Sequence, residues 1–428
     1  MSIQDVPARI VNADSRRKSD MDAASDLPDV IRRLLIRPTW VEVDLDAIDL
    51  NVKTVKRWLG VVKLIGVLKG DACGFGTAEC GHEMEAAGVA MLAVGNPFEI
   101  AVLRDRGVKC PILLYASFAP EAVAEIVALG AIPTIVDLAS MQILAQASAR
   151  LLSKPLEVFV KVDTGLGRLG VPYKEAAALV QAVARTQSLR VVGLYSHTGA
   201  VSAERADEQL RRMSEVLSEI AERGIEVEFK VLASTPHLMQ LPAMWLTAVD
   251  PGRLLFGIKP PAEASRLKGD LLPALRALRT RLIQVKAVSA GDPSNYGWGR
   301  ADGVKRYGVL PFGWTDGFLP EAYERSGVLV RGILVPFLMP LSAEHSVVDL
   351  TNVPDVEVGD VATIFGADGD SRIDVECFAK AAGLQVSDVT RRFHRHLPFI
   401  YFKRGAPVRV KTPTGDFAAP FCLDDVAD

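Results

Sequence analysis

From about residue 60 the chain alternates short β-branched, apolar runs with amphipathic stretches rich in Ala and Leu. The runs "KLIGVLK", "AMLAVG", "PILLYA", "IPTIVD", "LEVFVKVD", "RVVGLYSH", "EVEFKVLAS" and "LLFGI" read as strands. Between them, "YKEAAALVQAVART" and "ADEQLRRMSEVLSEIAERG" place apolar residues near the helical period, the second closing on Gly. Roughly eight such alternations within about 200 residues predict an α/β fold, a (β/α)8 TIM-type barrel, because parallel strands need helical crossovers and eight units can close. An open doubly wound sheet is the alternative. After about residue 270 the rhythm shifts to short runs such as "RTRLIQVKAVSA", "GVLVRGILVPFLM" and "DVATIFG" between Gly, Pro and Asp turns, the pattern of a mainly β domain. The expected division is an N-terminal extension over 1–37, in which "LPDVIRRLLI" can form one short helix, a barrel over 38–270 and a β domain over 271–428.

Composition narrows the class. The 428 residues are 49% hydrophobic and 24% charged, enough apolar material for more than one core. A formal net charge of −3 supplies no basic field for nucleic acid or an anionic membrane. No apolar run reaches the ~18 residues of a membrane span, and the polar opening lacks a signal-type apolar stretch. Five scattered cysteines, Cys73, Cys80, Cys110, Cys377 and Cys422, show no CxxC spacing, so a reducing cytoplasm is expected. His394 and His396 have HxH spacing without a convincing third ligand nearby, and no metal is expected.

Within the first strand signal, "GVLKGDACGFG" ends an apolar run on Lys69, where barrel enzymes carry their catalytic groups. A snorkelling side chain that keeps its ammonium in water is the ordinary reading of such a lysine. The sharper reading is a Schiff-base lysine, nucleophilic when partly desolvated.

The blocks "WVEVDLDAIDLNV", "GVLKGDACGFG", "VKVDTGLGRLGV", "LYSHTGA", "NYGWG", "LPFGWTDGF" and "VVDLT", in that order, resemble alanine racemase and its relatives. The likeness runs from about residue 38 to about residue 403. It implies a pyridoxal 5′-phosphate (PLP) enzyme of fold type III, a homodimer of barrel and β domains with shared active sites, acting on a small-molecule amino acid. Carried across, Lys69 resembles the lysine that links to the cofactor and serves as one catalytic base. Tyr296 is similar to the second base, which reaches the opposite face from the partner subunit; racemisation needs such a pair because a proton leaves one face of Cα and returns on the other. Arg168 resembles the arginine at the ring oxygen, Lys161 the often carbamylated lysine that positions it, and His197 the histidine packed on the ring. An ordinary ion pair of Lys161 and Arg168 with Asp163, and a satisfied core histidine at 197, remain open. For the cofactor phosphate the resemblance points to Ser234, Thr235, Gly252 and Arg253.

The chain also departs from the racemase pattern. Cys73 and Ser387 stand where two phosphate-contacting tyrosines are usual, and Asp250 stands where an arginine normally faces the pyridine nitrogen. "Asp-Pro-Gly-Arg" resembles the acid-bearing block of the related decarboxylases, and an acid there favours a protonated ring nitrogen. Trp314 replaces an entry-channel tyrosine, and Ala343 with Glu344 replaces a Met-Asp pair near the substrate carboxylate. Glu344 can equally be a solvated surface charge, and Cys73 a small filler. The expectation is therefore a racemase for an amino acid other than or larger than alanine, with a PLP-dependent lyase as the alternative.

Overall fold

In this computed structural model the described residues are 27–115, 118–199, 202–233, 235–258, 270–288, 303–318, 326–338, 342–393 and 396–421. The chain divides into two units, one of residues 47–272 and one combining the chain up to residue 46 with residues 273–428.

The 47–272 unit is the barrel. Its parallel strands are Lys63–Val67, Met91–Val94, Ile112–Leu114, Thr134–Ile135, Leu156–Asp163, Leu189–Tyr195, Phe229–Val231 and Ala248–Val249. Each pairs with the next, apart from a single bridge, Leu113 to Ile132, that carries the ring between the third and fourth. Ala248–Val249 returns to Lys63–Val67 and closes it. Side chains alternate across a strand, so Ile65 and Val67, Met91 and Ala93, and Phe229 and Val231 all point into one buried cluster. Phe159 fills the centre opposite Gly193, its register partner, where any Cβ would lie 2.3 Å from the ring.

One strand differs from expectation. "LLFGI" forms the 3-10 turn Arg253–Phe256, and the eighth strand is Ala248–Val249, five residues upstream of that turn's start. Asp250 therefore follows a barrel strand directly.

The second unit holds a nine-stranded sheet with the path Ile333–Pro336, Gly327–Val330, Val361–Asp368, Leu275–Arg281, Thr39–Asp44, Phe399–Lys403, Ala406–Thr412 and Gly415–Ala418, with Ser371–Ile373 beside Val361–Asp368. Gln284–Ala287, Arg306–Leu310 and Ser346–Asp349 form a three-stranded sheet. Thr39–Asp44, placed with the barrel by the sequence reading, instead runs antiparallel to Leu275–Arg281 and parallel to Phe399–Lys403. The expected N-terminal helix is present as Asp29–Leu34, its Ile31 and Leu34 buried against Trp40, Ile400 and Phe402.

Candidate active site

All eight barrel strands are parallel, so their C-terminal ends share one face. Lys69 lies there, two residues beyond Val67. It opens a turn in which Gly70, Asp71, Ala72 and Cys73 have φ of 70°, 53°, 54° and 60°. Left-handed backbone costs a non-glycine residue about 1–2 kcal/mol. Hydrogen bonds offset this: the Ala72 amide donates to Leu68 O at 2.7 Å, Gly76 to Asp71 O at 3.0 Å and Thr77 to Asp71 Oδ1 at 2.8 Å. Buried Glu99 accepts from the amides of Asp71 (3.2 Å), Gly95 (2.8 Å) and Asn96 (3.2 Å), tying together the loops after two adjacent strands. The Lys69 stem crosses Gly95, where a Cβ would sit 3.4 Å from Lys69 Cγ. Its ammonium ends 4.7 Å from the centroid of the Tyr115 ring, within cation–π range.

Tyr115 follows the strand Ile112–Leu114, and its phenol donates to Asp250 Oδ2 at 2.8 Å. Its ring meets Tyr195 edge to face at 5.4 Å. Tyr195 in turn carries the buried Lys161 ammonium 4.2 Å from its centroid. These groups set one another's protonation. Burial pushes the Asp250 carboxyl up to about 6 from 3.8, and the Tyr115 hydrogen bond with the charges of Lys69 and Lys161 limits the rise. Burial lowers Lys161 to about 8, helped by Arg168 and Lys69 and opposed by Asp250 and Asp163. His197 falls to about 4, first through burial and then through Lys69, Lys161 and Arg168, so its imidazole is neutral at pH 7. Tyr115 is pushed well above the usual phenol range by burial and by Asp250.

Lys69, Lys161, Arg168, His197 and Asp250 are thus close enough for their charges to perturb one another. The ion pair of Lys161 and Arg168 with Asp163 is not formed among the described residues. Asp163 accepts instead from the amides of Gly165 (2.8 Å) and Gly167 (3.1 Å), which shapes the glycine-rich loop, while Arg168 is exposed. That loop returns over Lys161 at Gly170, whose φ is 116° and whose Cβ would meet Lys161 O at 2.8 Å. Thr235 opens the helix Thr235–Gln240, and Arg253 follows Gly252 into the 3-10 turn. Ser234 and Tyr296 lie outside the described residues, as does His394.

In the second unit Trp314 is half exposed, and the amides of Trp314 and Thr315 donate to Ser342 O (3.2 Å) and Ala343 O (3.0 Å). Glu344 is exposed and Ser387 buried. His396 meets Asp316 at 3.0 Å, beside Arg37 at 2.7 Å. Cys73 is buried within the left-handed turn. Tyr115 is the residue that sequence reasoning missed. Its signal was position: it is the polar tip immediately after a barrel strand, the same criterion that singled out Lys69.

An amine and a carboxylate after two neighbouring strands, a neutral imidazole and surrounding cations suit an anionic pyridine aldehyde. With a barrel and a β unit, this defines a PLP-dependent enzyme of fold type III. Residues 43–260 match the alanine racemase N-terminal domain and residues 275–401 its C-terminal domain. The chain belongs to the alanine racemase family, whose members are PLP-dependent racemases. It is 31% identical to alanine racemase 1 of Caldanaerobacter subterraneus, across 87% of this chain and 97% of that one. It is 32% identical to alanine racemase of Syntrophobacter fumaroxidans, over 81% and 92% of the two. Among solved structures, alanine racemase of Streptomyces coelicolor superposes with a TM-score of 0.75 at 27% identity, over 87% of this chain and all of that one. These likenesses do not favour the lyase alternative.

Proposed function

We propose that this chain racemises an amino acid larger than alanine by a two-base mechanism in which Lys69 and Tyr296 act on opposite faces of Cα. The observation that carries the reading is Lys69 held at a strand end, its ammonium stacked on a ring that is hydrogen-bonded to Asp250. Lys69 would hold the cofactor carbonyl, Asp250 its ring nitrogen, Arg168 its ring oxygen, and Thr235 with Ser234, Gly252 and Arg253 its phosphate; His197 would pack on the ring and Ser387 border it. When bound, the cofactor supplies an electron sink for the charge left on Cα. One base removes the Cα proton and the other returns a proton to the far face, so the product differs only in configuration. Asp250, rising only to about 6, is mostly ionised at pH 7 and suits a cationic ring nitrogen. Lys161, lowered to about 8, keeps an appreciable neutral amine fraction that can add CO2 and release a proton, giving a carbamate to orient Arg168.

The assembly we infer is a cytoplasmic homodimer, with Tyr296 crossing to the partner's site as the family pattern implies. Small side chains at Ala343 and Ser387 support a wider space than alanine needs, with Trp314 as an apolar wall and Glu344 nearby. The domain reading is a PLP-binding barrel followed by a β domain that serves the partner. Measuring kcat/KM over a panel of L- and D-amino acids tests the substrate: a bulkier amino acid should exceed alanine, and alanine ahead of every bulkier one would refute this part.

A further inference from the structure

We propose that Tyr115 is a positioning residue for Asp250, donating to one carboxylate oxygen so that the other is aimed at the cofactor's pyridine nitrogen. The proposal rests on the reading that Asp250 meets that nitrogen. Three observations carry it.

The first is the contact itself: Tyr115 Oη donates to Asp250 Oδ2 at 2.8 Å across residues 135 apart in sequence, brought together by the ends of the strands Ile112–Leu114 and Ala248–Val249. An aspartate carboxyl turns over a broad torsional range, so one fixed donor removes most of its freedom. The second is that the donor is itself fixed. The Tyr115 ring is braced edge to face by Tyr195 at 5.4 Å and covered by the Lys69 ammonium at 4.7 Å. Tyr195 is buried, with its hydroxyl 3.3 Å from Thr134 Oγ1. The third is chemical. A phenol beside a carboxylate and partly desolvated keeps its proton, so Tyr115 stays a donor and Oδ2 stays occupied. The charged groups facing this pair are Lys69 and Lys161, and both favour the ionised carboxylate. Tyr115 thus also links two chemistries, since the same ring that orients Asp250 seats the ammonium of Lys69.

The test uses holoenzyme loaded with PLP labelled with 15N in its ring, with the ring-nitrogen resonance followed against pH. Native protein should show a protonated nitrogen through neutral pH, and Asp250→Asn an unprotonated one. Tyr115→Phe should lie between them, because a carboxylate that lacks its phenol donor is both less directed and more basic, and draws the proton away from nitrogen. In the Asp250→Asn background, Tyr115→Phe should add nothing. A second readout needs no cofactor: in apoprotein with 13C-carboxyl aspartate, Tyr115→Phe should raise the proton affinity of Asp250 about tenfold, the consequence of removing one hydrogen bond to a charged group. If Tyr115→Phe matches native protein in both measurements while Asp250→Asn changes the ring-nitrogen resonance, Tyr115 only fills space and the proposal fails. If Asp250→Asn also leaves the nitrogen unchanged, the underlying reading of Asp250 fails and takes the proposal with it.

Discussion

Lys69 and Asp250 follow two strands that pair with each other, and the charge of Lys69 limits the rise of the Asp250 carboxyl. Replacing Lys69 with Ala should abolish both the cofactor's visible absorbance on the protein and turnover. Asp250 carries a stability signature of its own in apoprotein. Its carboxyl is raised from 3.8 to about 6, so between those values the folded state binds a proton that the unfolded chain has lost, and stability falls as pH rises through that window. Asp250→Asn should therefore gain on native apoprotein from pH 4 to pH 8 by up to about 3 kcal/mol, read from urea midpoints. A gap that stays constant with pH would show that the carboxyl is not raised. At this scale Lys69 was legible as a charge that closes an apolar run, and Lys161 and Asp250 through the resemblance of their blocks to the racemase family and its decarboxylase relatives. Tyr115 was not, since in "PILLYA" tyrosine reads as one more β-prone residue and its partner is far away in sequence.

The elements that aim these residues depend on missing side chains. Gly193 leaves the space that the Phe159 ring occupies at the barrel centre. Gly193→Ala should lower the urea midpoint by an amount equivalent to about 1–3 kcal/mol, because an added methyl in a packed core forces its neighbours aside. An unchanged midpoint would mean that the ring can move. Seven of the eight barrel strands were readable from their β-branched runs. The eighth failed because Ala248–Val249 is only two residues long and carries no periodic signal, whereas "LLFGI" has the right composition but turns at Gly257, where φ is 73°. The left-handed turn after Lys69 was also invisible, since Ala72 and Cys73 give no propensity for it and it is sustained by backbone amides donating to the carboxylates of Glu99 and Asp71.

For the whole molecule, the two-unit organisation was readable in the change of rhythm near residue 270, but the place of Thr39–Asp44 was not. Its register partners are Thr280 and Phe399 among others, pairings hundreds of residues apart that local pattern cannot encode. If Tyr296 serves the partner's site, mixing inactive Lys69→Ala and Tyr296→Phe subunits and allowing exchange should restore about a quarter of native activity, because half the dimers then hold one intact site. No recovery would place both bases in one chain. The most direct test of the account is incubation of PLP-loaded protein with separate L- and D-amino acids in D2O, followed by chiral separation and mass spectrometry. The account predicts deuterium at Cα and appearance of the opposite enantiomer at conserved skeleton, whichever enantiomer is supplied. A product lighter by the loss of carbon dioxide or of a side-chain fragment, without inversion, would contradict it.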